Sequence, residues 1–325
     1  MIELLMAGVL VTTAAPPPPD QELQVAPAPQ DPAGRAPSVE LEDVVVTGRS
    51  LDTVINNFVR NVAEPNRGRG LARWDRSVCV GVANLTGETA EYIADRVSTV
   101  AADIGLEVGR PGCSPNILVV ATGDGGALAH DLVEEHRRAF RKGGSGMDRG
   151  GAALRDFIAT DRPVRWWQMS VPVDSQSGNL AGRIPGECSG SCAEVWDYAP
   201  QITVFAASRI RTQIVDDIVR AVVIVDVDDV AQLSVLQLAD YIAFVSLAQI
   251  DPDADTSGYA TILNVFDDPD GSPYLTDWDR AYLGGLYAAQ RNRSNMRAGR
   301  AEITSAIHRE HRALRAARTG PDADE

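Results

Sequence analysis

The acidic residues of one loop have a spacing that suits a calcium site. Asp251, Asp253 and Asp255 alternate in the stretch DPDADTSG, as the first three ligands of an EF-hand loop do. Thr256 stands where that loop needs glycine, and Ile262 stands where it needs glutamate. Because aspartate and glycine are also common turn residues, the stretch predicts a turn, with calcium binding as the alternative.

The four cysteines, Cys79, Cys113, Cys188 and Cys192, offer either disulfides or a zinc cage. Their even number favours two disulfides, and we predict that Cys79 pairs with Cys113 and Cys188 with Cys192. The second pair would close a short Gly/Ser loop in GECSGSCAE. Four thiolates could instead bind zinc, or remain free, but Cys79 and Cys113 lack the close partner of a zinc knuckle.

The other motifs that could bind a ligand are incomplete. His308 and His311 stand one helical turn apart, but no third metal ligand has a predictable position. The stretch TGDGGA joins a predicted strand to a predicted helix, as phosphate-binding loops do, but it lacks the GxGxxG spacing and a Walker lysine. We therefore predict exposed helix residues, a plain turn, and no cofactor.

The charge of the chain excludes some partners. Its 45 acidic residues outnumber its 30 lysines and arginines, which gives a net charge of -15. This balance argues against a nucleic-acid backbone or an anionic membrane surface as the main partner. Residues 291–320 are locally basic, and we interpret them as a helix with a solvated face.

The first residues resemble an export signal. An apolar run from Leu4 to Val11 is followed by Ala14 and Ala15, although Glu3 replaces the usual basic residues. We predict a signal peptide at residues 1–15, a Pro-rich linker at 16–38, and a periplasmic or extracellular location. The apolar run is too short to span a bilayer, so no transmembrane span is predicted.

From residue 39 onward, the hydrophobic pattern predicts an α+β fold. Residues 39–70 are predicted to form an arm of one strand and one helix, and residues 71–175 a layered unit of sheet and helices. Residues 176–320 are predicted to form a second, helix-rich α+β unit. Within it, residues 201–210 and 218–227 are predicted as two strands that could form a hairpin.

Two adjacent tryptophans, Trp166 and Trp167, lie in a predicted strand. Successive side chains of a strand point to opposite faces, so one ring is expected in the core and the other outside. An outward tryptophan could contact a sugar, a peptide or a protein.

The stretch ADYIAFVSLAQIDPDADTSGYATILNVF predicts a long apolar helix from Val235 to Ile250, followed by loops. The helix could be an ordinary core helix. It also resembles the active-site helix of metzincin-type zinc peptidases, which carries HExxH, then a glycine bend, a Met-containing turn and another helix.

The resemblance covers residues 226–289 but lacks the metal ligands. Ala239 and Ala243 fall at the two histidine positions and Asp240 at the glutamate position. Ser246 falls at the glycine bend, and Leu263 replaces the methionine of the turn. The resemblance thus implies a degenerate zincin-like unit in the C-terminal region, one that binds no zinc.

Two further resemblances concern the compartment. Most of residues 70–290 is similar to a group of exported alphaproteobacterial proteins of unknown function. The resemblance is carried by LARWDRSVCVGVANL, PGCSPNILVVATGD, ADYIAFVSLAQIDPDADTSGYATILNVF and LTDWDRAYLGGLY. The segment LEDVVVTGRS resembles the start of mature TonB-dependent outer-membrane receptors, which pairs as a strand with a periplasmic protein. It could equally be a simple edge strand.

These observations favour an exported, non-catalytic binding or structural protein of the cell envelope. Its partner would be a protein or small ligand there. The first alternative is a peptidase-like hydrolase with unconventional ligands, and the second is an envelope-assembly partner that acts through its N-terminal strand.

Overall fold

A mixed sheet lies at the centre of the fold. The computed structural model describes residues 50–66, 69–75, 77–140, 149–188, 192, 198–204 and 208–318. The structure has the predicted α+β class, with helices on both faces of this sheet. The predicted signal peptide, linker and N-terminal strand lie outside the described residues.

The sheet has four strands in the order β1-β2-β6-β3, and a separate ribbon pairs β4 with β5. The strands are β1 (Val80–Ala83), β2 (Ile117–Thr122), β3 (Val164–Asp174), β4 (Gly182–Cys188), β5 (Tyr198–Gln201) and β6 (Ile214–Asp226). β1, β2 and β6 run parallel, and β3 runs antiparallel to β6. The apolar run in β6 suits a strand that is paired on both sides and covered on both faces.

Helices form a layer on each face of the sheet. They are α1 (Leu51–Val62), α2 (Gly87–Asp103), α3 (Gly125–Phe140), α4 (Gly150–Ala159), α5 (Val235–Leu247), α6 (Asp277–Ala288) and α7 (Met296–Arg318). α3 and α4 pack with Trp167, Val222 and Ile224 on one side. The larger core on the other side joins α2 and α5 to α1, α6 and α7.

The structure joins parts of the chain that the sequence prediction divided. β6, from the predicted second unit, lies between β2 and β3 of the predicted first unit. α1, predicted to lie in an arm, buries Phe58 against the rings of Tyr259, Trp278 and Tyr282, at centroid distances of 4.8, 5.4 and 5.5 Å. The described residues therefore form one compact unit.

Two predicted elements differ from those observed. Residues 202–204 and 208–210 lie outside any strand, and β6 pairs with β2 and β3 and forms no hairpin with them. The helix predicted to reach Ile250 ends at Leu247, because Ala248 has an extended backbone conformation. Ile250 then pairs with Ala63 in an isolated bridge.

Both predicted disulfides are present. Cys79 and Cys113, with Cα atoms 6.1 Å apart, link the segments that lead into β1 and β2, and Cys188 is bonded to Cys192 with Cα atoms 5.7 Å apart. Gly109 makes room for the first bond, since a Cβ there would lie 2.5 Å from the Cys113 sulfur and 3.3 Å from the Cys79 Cβ.

α5 is buried on every side. All its residues from Gln237 to Leu247 are buried, which requires neighbours all round the helix. Its start is fixed by a capping box, in which the Ser234 hydroxyl accepts from the Gln237 N–H and the Gln237 side chain accepts from the Ser234 N–H.

α6 and α7 approach each other closely at two adjacent glycines. A Cβ added to Gly285 would lie 2.5 Å from the Ile307 Cα, so the backbone of α7 would have to move. A Cβ on Gly284 would meet only the flexible Glu310 side chain, at 3.3 Å.

We expect Gly285→Ala to lower the free energy of unfolding by about 1–3 kcal/mol, the usual range for overpacking. Gly284→Ala is the matched control, and its higher helix propensity should leave stability unchanged or raised by up to about 1 kcal/mol. Urea denaturation of both variants checks this. Equal effects of the two substitutions would contradict the close contact.

Candidate functional site

The positions that resemble a metal site are filled by packed side chains. Ala239, Asp240, Ala243 and Ser246 have no exposed surface, and Leu263 is partly buried against the same core. The turn that contains Leu263, a 3-10 turn at Ile262–Asn264, packs against α5. The residues that the sequence aligned with a metal site therefore do come together, but in a closed core.

Asp240 is held by an ion pair and a backbone donor. The Arg96 Nε donates to its Oδ1 at 2.5 Å, and the Arg96 Nη2 donates to its Oδ2 at 3.2 Å. The Leu275 N–H donates to the same Oδ2 at 2.7 Å. The hydrogen bonds between Arg96 and Asp240 raise the pKa of Arg96 above its usual value. Both carboxylate oxygens are thus engaged, where the zinc-peptidase pattern has a glutamate that activates water.

Asp279 ties the turn to α6. Its Oδ1 accepts from the Thr261 hydroxyl at 2.5 Å, and its Oδ2 accepts from the Ile262 N–H at 2.8 Å. The Thr276 N–H and hydroxyl donate to Oδ2 at 3.0 and 2.9 Å. Burial raises the pKa of Asp279 to about 6, although these hydrogen bonds act in the opposite direction. This contact is not among the sequence predictions, although the capping-box spacing of Thr276 and Asp279 is a signal for it.

The two adjacent tryptophans are both buried, which corrects the prediction that one is exposed. Trp166 and Trp167 retain 6% and 1% of their exposure and point to opposite faces, as predicted. The Trp166 Nε1 donates to the Ile250 carbonyl at 3.2 Å, and the Trp167 Nε1 to the Phe140 carbonyl at 2.7 Å. The prediction failed because helices cover both faces of the sheet.

The acidic loop forms local turns. The Asp251 Oδ1 accepts from the Asp253 N–H at 3.0 Å, and Asp253 also pairs with Arg162 at 2.6 Å. Asp255 accepts from the Ser257 hydroxyl at 2.7 Å. No group of three or more acidic, histidine or cysteine side chains is arranged to hold a metal ion in the described part of the chain. The three carboxylates therefore do not assemble the calcium set.

The two C-terminal histidines are also held separately. The His308 Nδ1 lies 2.9 Å from the Asp52 carboxylate, whereas the His311 ring packs edge-on against Trp278 with centroids 5.9 Å apart. Burial and the nearby Arg315 lower the pKa of His311.

A pocket that the sequence did not predict lies between the end of α1 and the connection from α6 to α7. It encloses about 140 Å³. Its walls include five arginines, which are Arg69, Arg73, Arg291, Arg293 and Arg300. Val59, Leu71, Leu286 and Ile303 contribute apolar surface, and none of the described residues that line it is acidic. We call it the arginine pocket.

Three of these arginines form ion pairs with carboxylates that do not line the pocket. Arg69 binds Asp216 through two hydrogen bonds of 2.9 and 3.0 Å. Arg291 pairs with Asp75 at 3.0 Å and also contacts Asp217.

The third of them, Arg293, pairs with Glu302 at 2.7 Å. These three guanidinium groups are therefore held in place before any ligand arrives, which lowers the conformational cost of binding.

The charges of Arg73 and Arg300 have no carboxylate partner within 4 Å among the described residues. Arg73 donates to the carbonyls of Leu286, Tyr287 and Ala289 at 2.7, 2.7 and 3.0 Å, and so closes the end of α6. Burial and the nearby charge of Arg291 lower the pKa of Arg73 to about 10. The Arg300 side chain has no hydrogen bond or ion pair with a described residue.

The fold and the site together define an α+β protein with a closed core around α5, the turn at Ile262–Asn264 and α6. Its arginine-lined pocket lies at the periphery. Comparison of the chain with protein-family models, curated proteins and solved structures finds no match in any of the three. None of the described helices combines the length and apolarity needed to cross a membrane.

We expect Arg96→Ala to lower the free energy of unfolding by about 3–5 kcal/mol, because it leaves a fully buried carboxylate without its charge partner. Asp240→Ala should cost less, since Arg96 can then turn toward water. The double variant should lose less stability than the sum of the two single variants. Urea denaturation of all three measures the coupling, and strict additivity would contradict the pair.

We expect Asp279→Asn to destabilise the protein by about 1–3 kcal/mol, because an amide NH2 would face donors that need an acceptor. Asp277→Asn is the matched control in the same helical turn. Its carboxylate is partly exposed and pairs with Arg318, so its loss should cost under about 1 kcal/mol. Thermal unfolding that gives the reverse order would show that Asp279 does not fasten the turn.

Proposed function

We propose that this protein is an exported, non-catalytic binding protein, built on a scaffold that resembles a zinc peptidase without metal ligands. The observation that carries the proposal is the engagement of Asp240. Its carboxylate is fully buried and is bound by Arg96 and by the Leu275 N–H. A carboxylate in this state has no free oxygen to take a proton from water.

The order of elements supports the resemblance to the peptidase scaffold. α5, the turn at Ile262–Asn264 and α6 follow one another as the active-site helix, Met-containing turn and next helix do in that pattern. Ala239 and Ala243 stand at the two histidine positions, and a methyl group cannot bind a metal. The small side chains instead let other elements pack close to α5.

The two disulfides support the proposal of export. Disulfides persist in oxidising compartments such as the bacterial periplasm and the extracellular space, and they are rare in the cytosol. The pairs Cys79–Cys113 and Cys188–Cys192 account for all four cysteines of the chain.

We expect the purified mature protein to contain far less than one zinc per chain and to hydrolyse casein-derived peptides no faster than a buffer blank. Elemental analysis and a fluorogenic peptide assay measure the two quantities, with Asp240→Ala as the matched variant. Stoichiometric zinc, together with an activity that is lost on chelation and in Asp240→Ala, would contradict the proposal.

Export is measured separately. The amino terminus of protein recovered from the cell envelope should lie near residue 16, because residues 1–15 are predicted to be removed. Recovery of chains that begin at Met1 from the cytosolic fraction alone would contradict export.

A further inference from the structure

We propose that the arginine pocket binds a small organic anion, a monocarboxylate whose apolar part is about the size of a benzene ring. This inference deepens the proposed function, on which it rests, because it names the ligand class of the binding protein. It is carried by the pocket's size, by its charge and by the distribution of its polar and apolar walls.

The size of the pocket sets the size of the ligand. The enclosed space is about 140 Å³. An engineered protein cavity of about 150 Å³ holds one benzene molecule, so the space here suits six to eight non-hydrogen atoms, roughly, with part of the ligand open to water. A sugar chain, a nucleotide or a folded peptide does not fit this volume.

The charge of the walls selects an anion. Among the described residues, five arginines and no acidic side chain line the pocket, in a chain whose net charge is -15. Arg69, Arg291 and Arg293 already have carboxylate partners. Arg73 and Arg300 are therefore the two arginines of the pocket without an ion-pair partner among the described residues, and one bound carboxylate would offset half of their combined charge.

Among the arginines of the pocket, Arg73 is the one whose charge such a ligand would stabilise most. Its guanidinium is partly buried and faces three neutral carbonyls, those of Leu286, Tyr287 and Ala289. Arg291 adds a second positive charge nearby, and its Nε is buried without a hydrogen-bond acceptor. A carboxylate here would reduce the repulsion between the two arginines and supply acceptors for charge-assisted hydrogen bonds.

The apolar walls select a ligand with a hydrocarbon part. Val59 and Leu286 are almost fully buried beneath the pocket, and Leu71 and Ile303 are half-buried at its side. Inorganic phosphate would leave this surface uncovered, and a neutral alcohol would leave the arginines without an anion. A short apolar carboxylate meets both requirements.

The same chemistry has two sources, a free organic acid and the carboxyl-terminal residue of an apolar peptide. Isothermal titration of the mature protein with hexanoate, benzoate and N-acetyl-leucine tests both. Hexanol, N-acetyl-leucinamide and inorganic phosphate are the controls. We expect the carboxylates to bind at least tenfold more tightly than their neutral counterparts, since a charge-assisted hydrogen bond accounts for about that factor. Tighter binding of N-acetyl-leucine than of hexanoate would identify the peptide source, and the reverse order the free acid.

Two variants locate the site. Arg300→Gln should weaken hexanoate binding about tenfold, whereas Arg297→Gln, the same change one turn away and outside the pocket, should leave it unchanged. Ile303→Phe, which fills the pocket without changing charge, should also weaken binding. Circular dichroism establishes that each variant is folded.

The inference is overturned if hexanoate and hexanol bind equally or not at all, if phosphate binds more tightly than hexanoate, or if Arg297→Gln and Arg300→Gln have equal effects. Its failure is distinct from failure of the proposed function. Zinc-dependent hydrolysis by protein that still binds hexanoate would refute only the non-catalytic assignment, and absent binding in an inactive, exported protein would refute only the ligand class.

Discussion

The burial of α5 on every side is the constraint on which the rest of the structure depends. A helix without a solvated face must be enclosed by other elements, and each polar group on it must find a partner inside the protein. The sheet, α2, α6 and the turn at Ile262–Asn264 supply that enclosure. Asp240 is satisfied by Arg96 and Leu275, and Gln237 donates to the carbonyls of Pro269 and Ser272. These hydrogen bonds tie the loop after α5 to the helix at Pro269, Ser272 and Leu275.

This enclosure separates the centre of the fold from the place where a ligand can bind. The centre, around Ala239 and Ala243, is occupied by packed side chains. Space is left instead at the periphery, where α1, the segment around Arg73 and the link from α6 to α7 meet. Arg73 belongs to both regions, because it closes the end of α6 and also lines the pocket. A ligand bound in the pocket would therefore contact Arg73, a side chain whose hydrogen bonds fix the end of α6.

Local signals in the sequence predicted the helices well, and long-range contacts were the source of the errors. The starts of α2 and α6 have a local signal, since a threonine, Thr86 or Thr276, stands directly before each helix. The alternation of Trp166 and Trp167 was also correct, but nothing local shows that helices cover both faces. The pairing of β6 with β2 joins residues about a hundred positions apart, and the arginine pocket is likewise assembled from three distant segments. The spacing of residues along the chain does not indicate which distant segments come into contact.

The place of β6 in the sheet determines when the four-stranded sheet can be completed during synthesis. β2 and β3 both precede β6 in the chain, but β6 lies between them in the sheet and pairs with each of them. A chain that has grown only to residue 213 therefore carries the largely buried, apolar strand β3 without its partner. Contacts of such high sequence separation slow folding, and unpaired apolar strands promote aggregation. A nascent chain therefore remains prone to aggregation through β3 until Asp226 has been synthesised. A chaperone that shields exposed strands would act within this interval.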